Sequence, residues 1–174
     1  FGDVGAPTPQ KSGLRAVTVE YEGPVAGLNV KPLTQTVLMG LLRPFIDTVN
    51  MVNAPSIARE RSITVTESKR ERASDYHTLV RLTVQTENRS RSGTGTLFGG
   101  EKPRIVGIEE VPIEAEVSEH MLFIRNEDKP GFIGKLGTAL GEAGVNIATF
   151  HLGRTAPGEN AIAQFRIRKR VGPG

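Results

Sequence analysis

Asn126, Asp128, Pro130, Gly131 and, further along, Asn146 are the residues of this chain whose types and spacing point to chemistry. They sit at the two ends of a glycine-rich apolar run, residues 132–143, with helical spacing. Pro130, at or near the first helical position, and Gly131 beside it would leave the backbone N–H groups of a helix start with little steric cover. Such a terminus carries partial positive charge and accommodates a carboxylate. Asp128, just before it, can cap the helix or pair with an ammonium group. Asn126 and Asn146 can each donate and accept, so either suits either end of an α-amino acid. The set fits a small zwitterion better than a phosphate or a metal. Pattern alone favours the plainer alternative, in which Asp128 is an N-cap and Asn146 a turn residue.

Hydrophobic periodicity supplies the elements that must hold these residues. Residues 14–23 alternate, with Val17, Val19 and Tyr21 against Thr18, Glu20 and Glu22, which predicts a half-buried strand. From Leu33 the period lengthens, and Val37, Leu38, Leu41, Leu42, Phe45, Ile46 and Val49 share a helical face. Pro32 suits its start, and Pro44 should kink or divide it. A short helix is expected after Asn53-Ala54-Pro55-Ser56, with Ile57 and Ala58 inward. Strands follow around Ile63 and Val65, through Val80, Leu82 and Val84, and over 93–98 and 105–108. Beyond residue 118 come a strand at 121–125, a helix at 131–143, and strands at 145–153 and 160–168.

The expected fold class is therefore α+β. A linker remnant (1–13) leads into a domain with a mostly antiparallel sheet and helices inserted after its first strand (14–117), followed by a β-α-β-β unit (118–174). Gly134, Gly137, Gly141 and Gly144 fall in one short helix. Interior glycines cost roughly 1 kcal/mol each, and close packing of the helix on a sheet is their expected reason.

Composition excludes several functions. The chain has no cysteine, which removes disulfides, thiolate nucleophiles and cysteine metal sites. Its net charge of +3 is a property of its tail, because Arg166, Arg168, Lys169 and Arg170 lie in an acid-free terminus. Setting them aside leaves 18 basic against 19 acidic residues, with no aromatic interleaving, so no nucleic-acid partner is expected. No apolar run is as long as a membrane span, and Phe1 opens neither a signal peptide nor a complete reading frame, so a cytoplasmic chain that begins mid-protein is expected. His77, His120 and His151 lack metal-ligand spacing, and neither G-x-S-x-G nor G-x-G-x-x-G occurs. The cations Arg59, Arg61, Lys69, Arg70, Arg72 and Arg104 either hold a small anion between strands or form a solvated face, the simpler reading.

Two pairs of runs carry a family resemblance. Val30-Lys31-Pro32-Leu33-Thr34 and Val49-Asn50-Met51-Val52-Asn53-Ala54-Pro55 resemble the intervening domain of the longer D-3-phosphoglycerate dehydrogenases. Glu127-Asp128-Lys129-Pro130-Gly131-Phe132-Ile133-Gly134 with Gly144-Val145-Asn146-Ile147-Ala148 is similar to the ACT domain that follows it in those enzymes. The resemblance, from about residue 14 to 162, implies an antiparallel-sheet intervening domain and a ferredoxin-like (ACT) unit truncated to β-α-β-β. It further implies a regulatory, oligomerising fragment of a serine-biosynthesis enzyme inhibited by L-serine. The effector would lie between two ACT domains, on Asn126, Asp128, Pro130, Gly131 and Asn146. Arg104 would be a possible anion site, beside the acidic Glu114 and Glu116. NAD would belong to the parent enzyme; this chain, without catalytic and nucleotide-binding domains, would hold no cofactor and catalyse nothing alone. The alternative is an amino-acid-binding or dimerisation module of another enzyme, such as bacterial L-serine dehydratase, or a stand-alone interaction module. An ACT sheet ending after its third strand would expose an edge and fold weakly or associate.

Overall fold

The computed structural model describes residues 13–72, 75–127, 129–155 and 160–168. They form two compact units that divide between Leu97 and Phe98, earlier than the pattern boundary at 117/118. At the centre of the first unit is β1 (Leu14–Glu22), whose Val17, Val19 and Tyr21 expose no surface, as the alternation predicts. It pairs parallel with β2 (Thr64–Arg70) and antiparallel with β3 (Leu79–Thr86), and β3 pairs antiparallel with β4 (Ser90–Phe98). A parallel neighbour requires a crossover. Here α1 (Lys31–Leu42) and α2 (Ala54–Glu60) make it, and Leu38, Leu42, Ala54 and Ala58 close over the inward face of β1.

Pro44 ends α1 instead of kinking it. Without an N–H it cannot bond the carbonyl of Gly40, and the helical face expected to run to Val49 stops at Leu42. The amides of Phe45 and Ile46 both turn back to the Leu42 carbonyl, at 2.9 and 3.0 Å. Two asparagines then rebuild the path into α2. Asn50 Oδ1 accepts from the amides of Val52 and Asn53, each at 2.9 Å, while Asn53 Oδ1 accepts from the Asn50 amide at 2.7 Å. Asn53 Nδ2 also donates to the Thr48 carbonyl at 3.1 Å. This reciprocal pair gives the Val49–Pro55 motif a physical reason, most strictly at Asn53, where the side chain both accepts and donates and aspartate has no donor to offer. Asn53→Ala is expected to lower stability of this unit by about 1–3 kcal/mol, and Asn50→Ala by a similar amount, with the double variant well short of their sum. Urea melts of the three variants measure that coupling.

The second unit opens with a hairpin of β5 (Lys102–Ile108) and β6 (Val111–Glu116). It continues with β7 (Met121–Glu127), α3 (Phe132–Glu142), β8 (Asn146–Arg154) and β9 (Asn160–Arg168). The last three strands form a sheet of order β7-β9-β8, with β9 antiparallel to both neighbours. β7 and β8 are thus parallel and joined through α3, the β-α-β-β arrangement expected. α3 ends in a Schellman motif, with Gly144 at positive φ, its amide on Gly141 O and the Val145 amide on Leu140 O, both at 2.9 Å.

The packing reason expected for the other α3 glycines is not found. A Cβ built on Gly134, Gly137 or Gly141 meets nothing within 4 Å, and α3 buries none of its residues fully. Among the described residues no helix is long and apolar enough to cross a membrane.

Candidate functional site

Gly131 occupies the N-cap of α3 at φ 82°, a left-handed conformation that glycine adopts without a Cβ clash. The helix therefore starts at Phe132, and Pro130 precedes the N-cap instead of standing in the first turn. The plainer reading, with Asp128 as the cap, places the cap three residues too early; Asp128 itself lies outside the described residues. A glycine cap has no side chain to offer the helix, and the N–H groups of Ile133 and Gly134 have no acceptor within it. Pro130 and Gly131 are exposed, so this terminus faces solvent. Its partial positive charge is what a carboxylate needs.

Asn146 does not join that terminus. In the sheet register, Asn126 pairs with Ala161 near the start of β9, whereas Asn146 pairs with Arg168 at its other end. At ~3.3 Å per residue the two are about 23 Å apart along the strand direction. The cause is topological: β7 and β8 are parallel, so the helix between them begins at one end of the sheet and ends at the other. One copy of the chain does not bring the two turns together.

Arg104 is already engaged. Its Nη2 donates to Glu116 Oε1 at 3.0 Å, and its guanidinium stands 5.7 Å from the centroid of the Phe98 ring. Arg166 also approaches Glu116, at 3.5 Å. An anion at Arg104 would meet the Glu116 carboxylate. Among the other cations, Lys69 donates to the Leu28 carbonyl at 3.0 Å, and Arg59 edges a cleft of about 500 Å³ between α1, α2 and β2. Lys31 and Glu67 share that rim, and Thr34 lines it. Behind Thr34, its hydroxyl and the buried Tyr21 hydroxyl bond each other at 2.9 Å.

Residues 8–109 match the sequence profile of the D-3-phosphoglycerate dehydrogenase intervening domain, well over half of the chain. The chain belongs to that family. Residues 120–170 match the ACT domain profile, so the intervening-domain match is followed by an ACT match in the expected order. The chain is 34% identical over 173 residues to D-3-phosphoglycerate dehydrogenase of Bacillus subtilis, covering 98% of this chain and 33% of that enzyme. Similarity to the enzymes of the same name from Archaeoglobus fulgidus (35% over 143 residues) and Synechocystis (36% over 153 residues) covers 82% and 87% of this chain. It covers 27% and 28% of those two enzymes. The chain thus spans a third or less of the length of these relatives.

Within this intervening-domain and ACT pair, periodicity did not reveal two features. One is the Asn50–Asn53 reciprocity, for which the spacing of two asparagines three apart before Ala54-Pro55 was the available signal. The other is the approach of the β5–β6 hairpin to the ACT sheet, hinted at only by Gly153 inside an otherwise regular strand.

Proposed function

We propose that this chain is the L-serine-sensing, oligomerising regulatory part of a D-3-phosphoglycerate dehydrogenase, and that each effector molecule is held between two copies. The observation that carries this reading is the placement of the 126–131 turn and Asn146 at opposite ends of one sheet. Among the described residues β8 is an edge strand of that sheet. A two-fold pairing of two copies through β8 runs the strands antiparallel and brings Asn146 of the second copy to the end where the first copy presents its α3 terminus. The effector carboxylate then faces the exposed helix N–H groups, and its ammonium is the charge that the Asp128 carboxylate suits. Asn146 of the second copy closes the site. Serine bound this way stabilises one arrangement of two subunits, which couples it to catalysis elsewhere by differential affinity. In the parent enzyme that chemistry is oxidation of 3-phosphoglycerate with NAD, on domains outside this chain.

Calorimetric titration of L-serine into the dimeric chain tests the reading. Saturable heat is expected, weakened about 10- to 100-fold in Asn146→Ala, since a hydrogen bond to a charged group contributes ~1.5–3 kcal/mol. Circular dichroism should show the variant folded. A folded, dimeric wild-type chain that gives no heat would refute serine sensing. The differently fused module is then favoured, with dimerisation as its function.

A further inference from the structure

We infer that the β5–β6 hairpin is a detachable latch on the ACT sheet, poised between a docked and a released state. Three observations within the second unit carry this.

The first is where the hairpin lies. Glu109, in its turn, bonds Arg125 at 2.7 Å, and Glu116, at its far end, reaches Arg166 at 3.5 Å. Arg125 pairs in register with Ile162. β6 therefore lies over β8 and, next to it, β9, on the face carrying Gly153, Ile162, Gln164 and Arg166. Val111, Ile113 and Ile162 form a small apolar cluster there. The approach is close enough to require glycine: a Cβ on Gly153 would collide with the Pro112 carbonyl oxygen and stand 3.0 Å from Ile113 Cβ.

The second is what the docked state buries. Gln164, midway along this contact, is 1% exposed, and neither Oε1 nor Nε2 has a hydrogen-bond partner among the described residues. Thr149 Oγ1 and Arg166 Nε, cross-strand neighbours on the same face, are buried and unpaired as well. Each such atom costs more than an exposed ion pair such as Glu109–Arg125 returns, and release of the hairpin hands all of them to water.

The third is strain at the tip. Glu109 sits at φ 55° in a two-residue turn, where glycine or asparagine is the usual occupant. The docked state holds a glutamate there and aims its carboxylate at Arg125, the neighbour of Asn126. The turn keeps that strain in either state and fixes where the Glu109 carboxylate points, while a small apolar cluster and ion pairs oppose buried unpaired groups, which is how a contact comes to be bistable. It ties the end of the intervening-domain match, at residue 109, to the first ACT strand. The proposal that effector binding at the 126–131 turn shifts this equilibrium rests on the serine reading; the latch itself does not.

Hydrogen exchange of the full chain, read by mass spectrometry without serine, tests the latch. Hairpin amides at 102–116 should exchange far faster than β1 and β3. Gln164→Leu, which removes two unpaired atoms at similar volume, should slow the hairpin at least about tenfold and leave β1 unchanged. Gly153→Ala should speed it by a similar factor, again without touching β1. A wild-type hairpin as protected as β1, or hairpin exchange that Gln164→Leu leaves unaltered or accelerates, overturns the proposal. A chain that shows these shifts but no serine heat keeps the latch and loses only its effector.

Discussion

An equimolar mixture of Asn126→Ala and Asn146→Ala chains, refolded together, is expected to recover wild-type-affinity L-serine binding, which each variant alone has lost. The expectation follows from the register, which puts Asn126 and Asn146 at opposite ends of one sheet. In a two-fold pair each site takes its 126–131 turn from one copy and its Asn146 from the other. A mixed pair therefore carries one site with both substitutions and one site with neither. Random reassociation makes about half of the pairs mixed, so about one quarter of the wild-type binding heat should return. A site built within a single chain recovers nothing, because every chain is then defective. Native mass spectrometry of the mixture shows whether mixed pairs formed. If they form and no heat returns, the two-copy site is wrong even where wild-type serine binding is real.

This opposition of the two turns was implicit in the order of elements. Any helix that joins two parallel strands of one sheet begins and ends at opposite ends of that sheet, so a β-α-β reading of residues 121–153 already separates Asn126 from Asn146. Strand alternation was legible in the same direct way. Val17, Val19 and Tyr21 were placed inward because a strand has a period of two, and burial follows that period when one face carries the helices. The α3 glycines show where such inference stops. Glycine at Gly144 and Gly131 answers a local backbone demand, a positive φ at each end of the helix. Gly134, Gly137 and Gly141 suggest close packing by their spacing alone, and the helix has open space beside them. The position that does need glycine for close packing is Gly153, and the backbone it meets lies 41 residues earlier in the chain, at Pro112. Periodicity carries no signal for a contact of that range. For charge the sequence went further: the acidic strand beyond Arg104 is legible in it, and the register then singles out Glu116 over Glu114 as the neutralising partner.

Tyr21→Ala should cost the first unit about 3–5 kcal/mol, the loss expected when a fully buried aromatic ring is removed from a packed core. Tyr21→Phe isolates the hydroxyl. It leaves the Thr34 hydroxyl, 5% exposed, without its partner, at a cost of about 1–2 kcal/mol. Adding Thr34→Val removes both partners of that bond and should restore most of the loss, because an apolar pair asks nothing of its surroundings. The phenol also carries a pH dependence of determined sign. Burial raises its pKa above the ordinary 10.0; the bond to Thr34 offsets part of this and the charge of Glu67 adds to it. The folded chain therefore keeps this proton at pH values where the unfolded chain releases it. The stabilisation is whole below pH 10 and is lost as pH rises through the folded value. Urea melts between pH 7 and 11 should show wild-type stability falling more steeply above pH 10 than that of Tyr21→Phe, so the gap between them narrows on the alkaline side. Parallel curves would mean that the Tyr21 phenol titrates equally in both states, and that burial of its ring leaves its hydroxyl as free to ionise as in the unfolded chain.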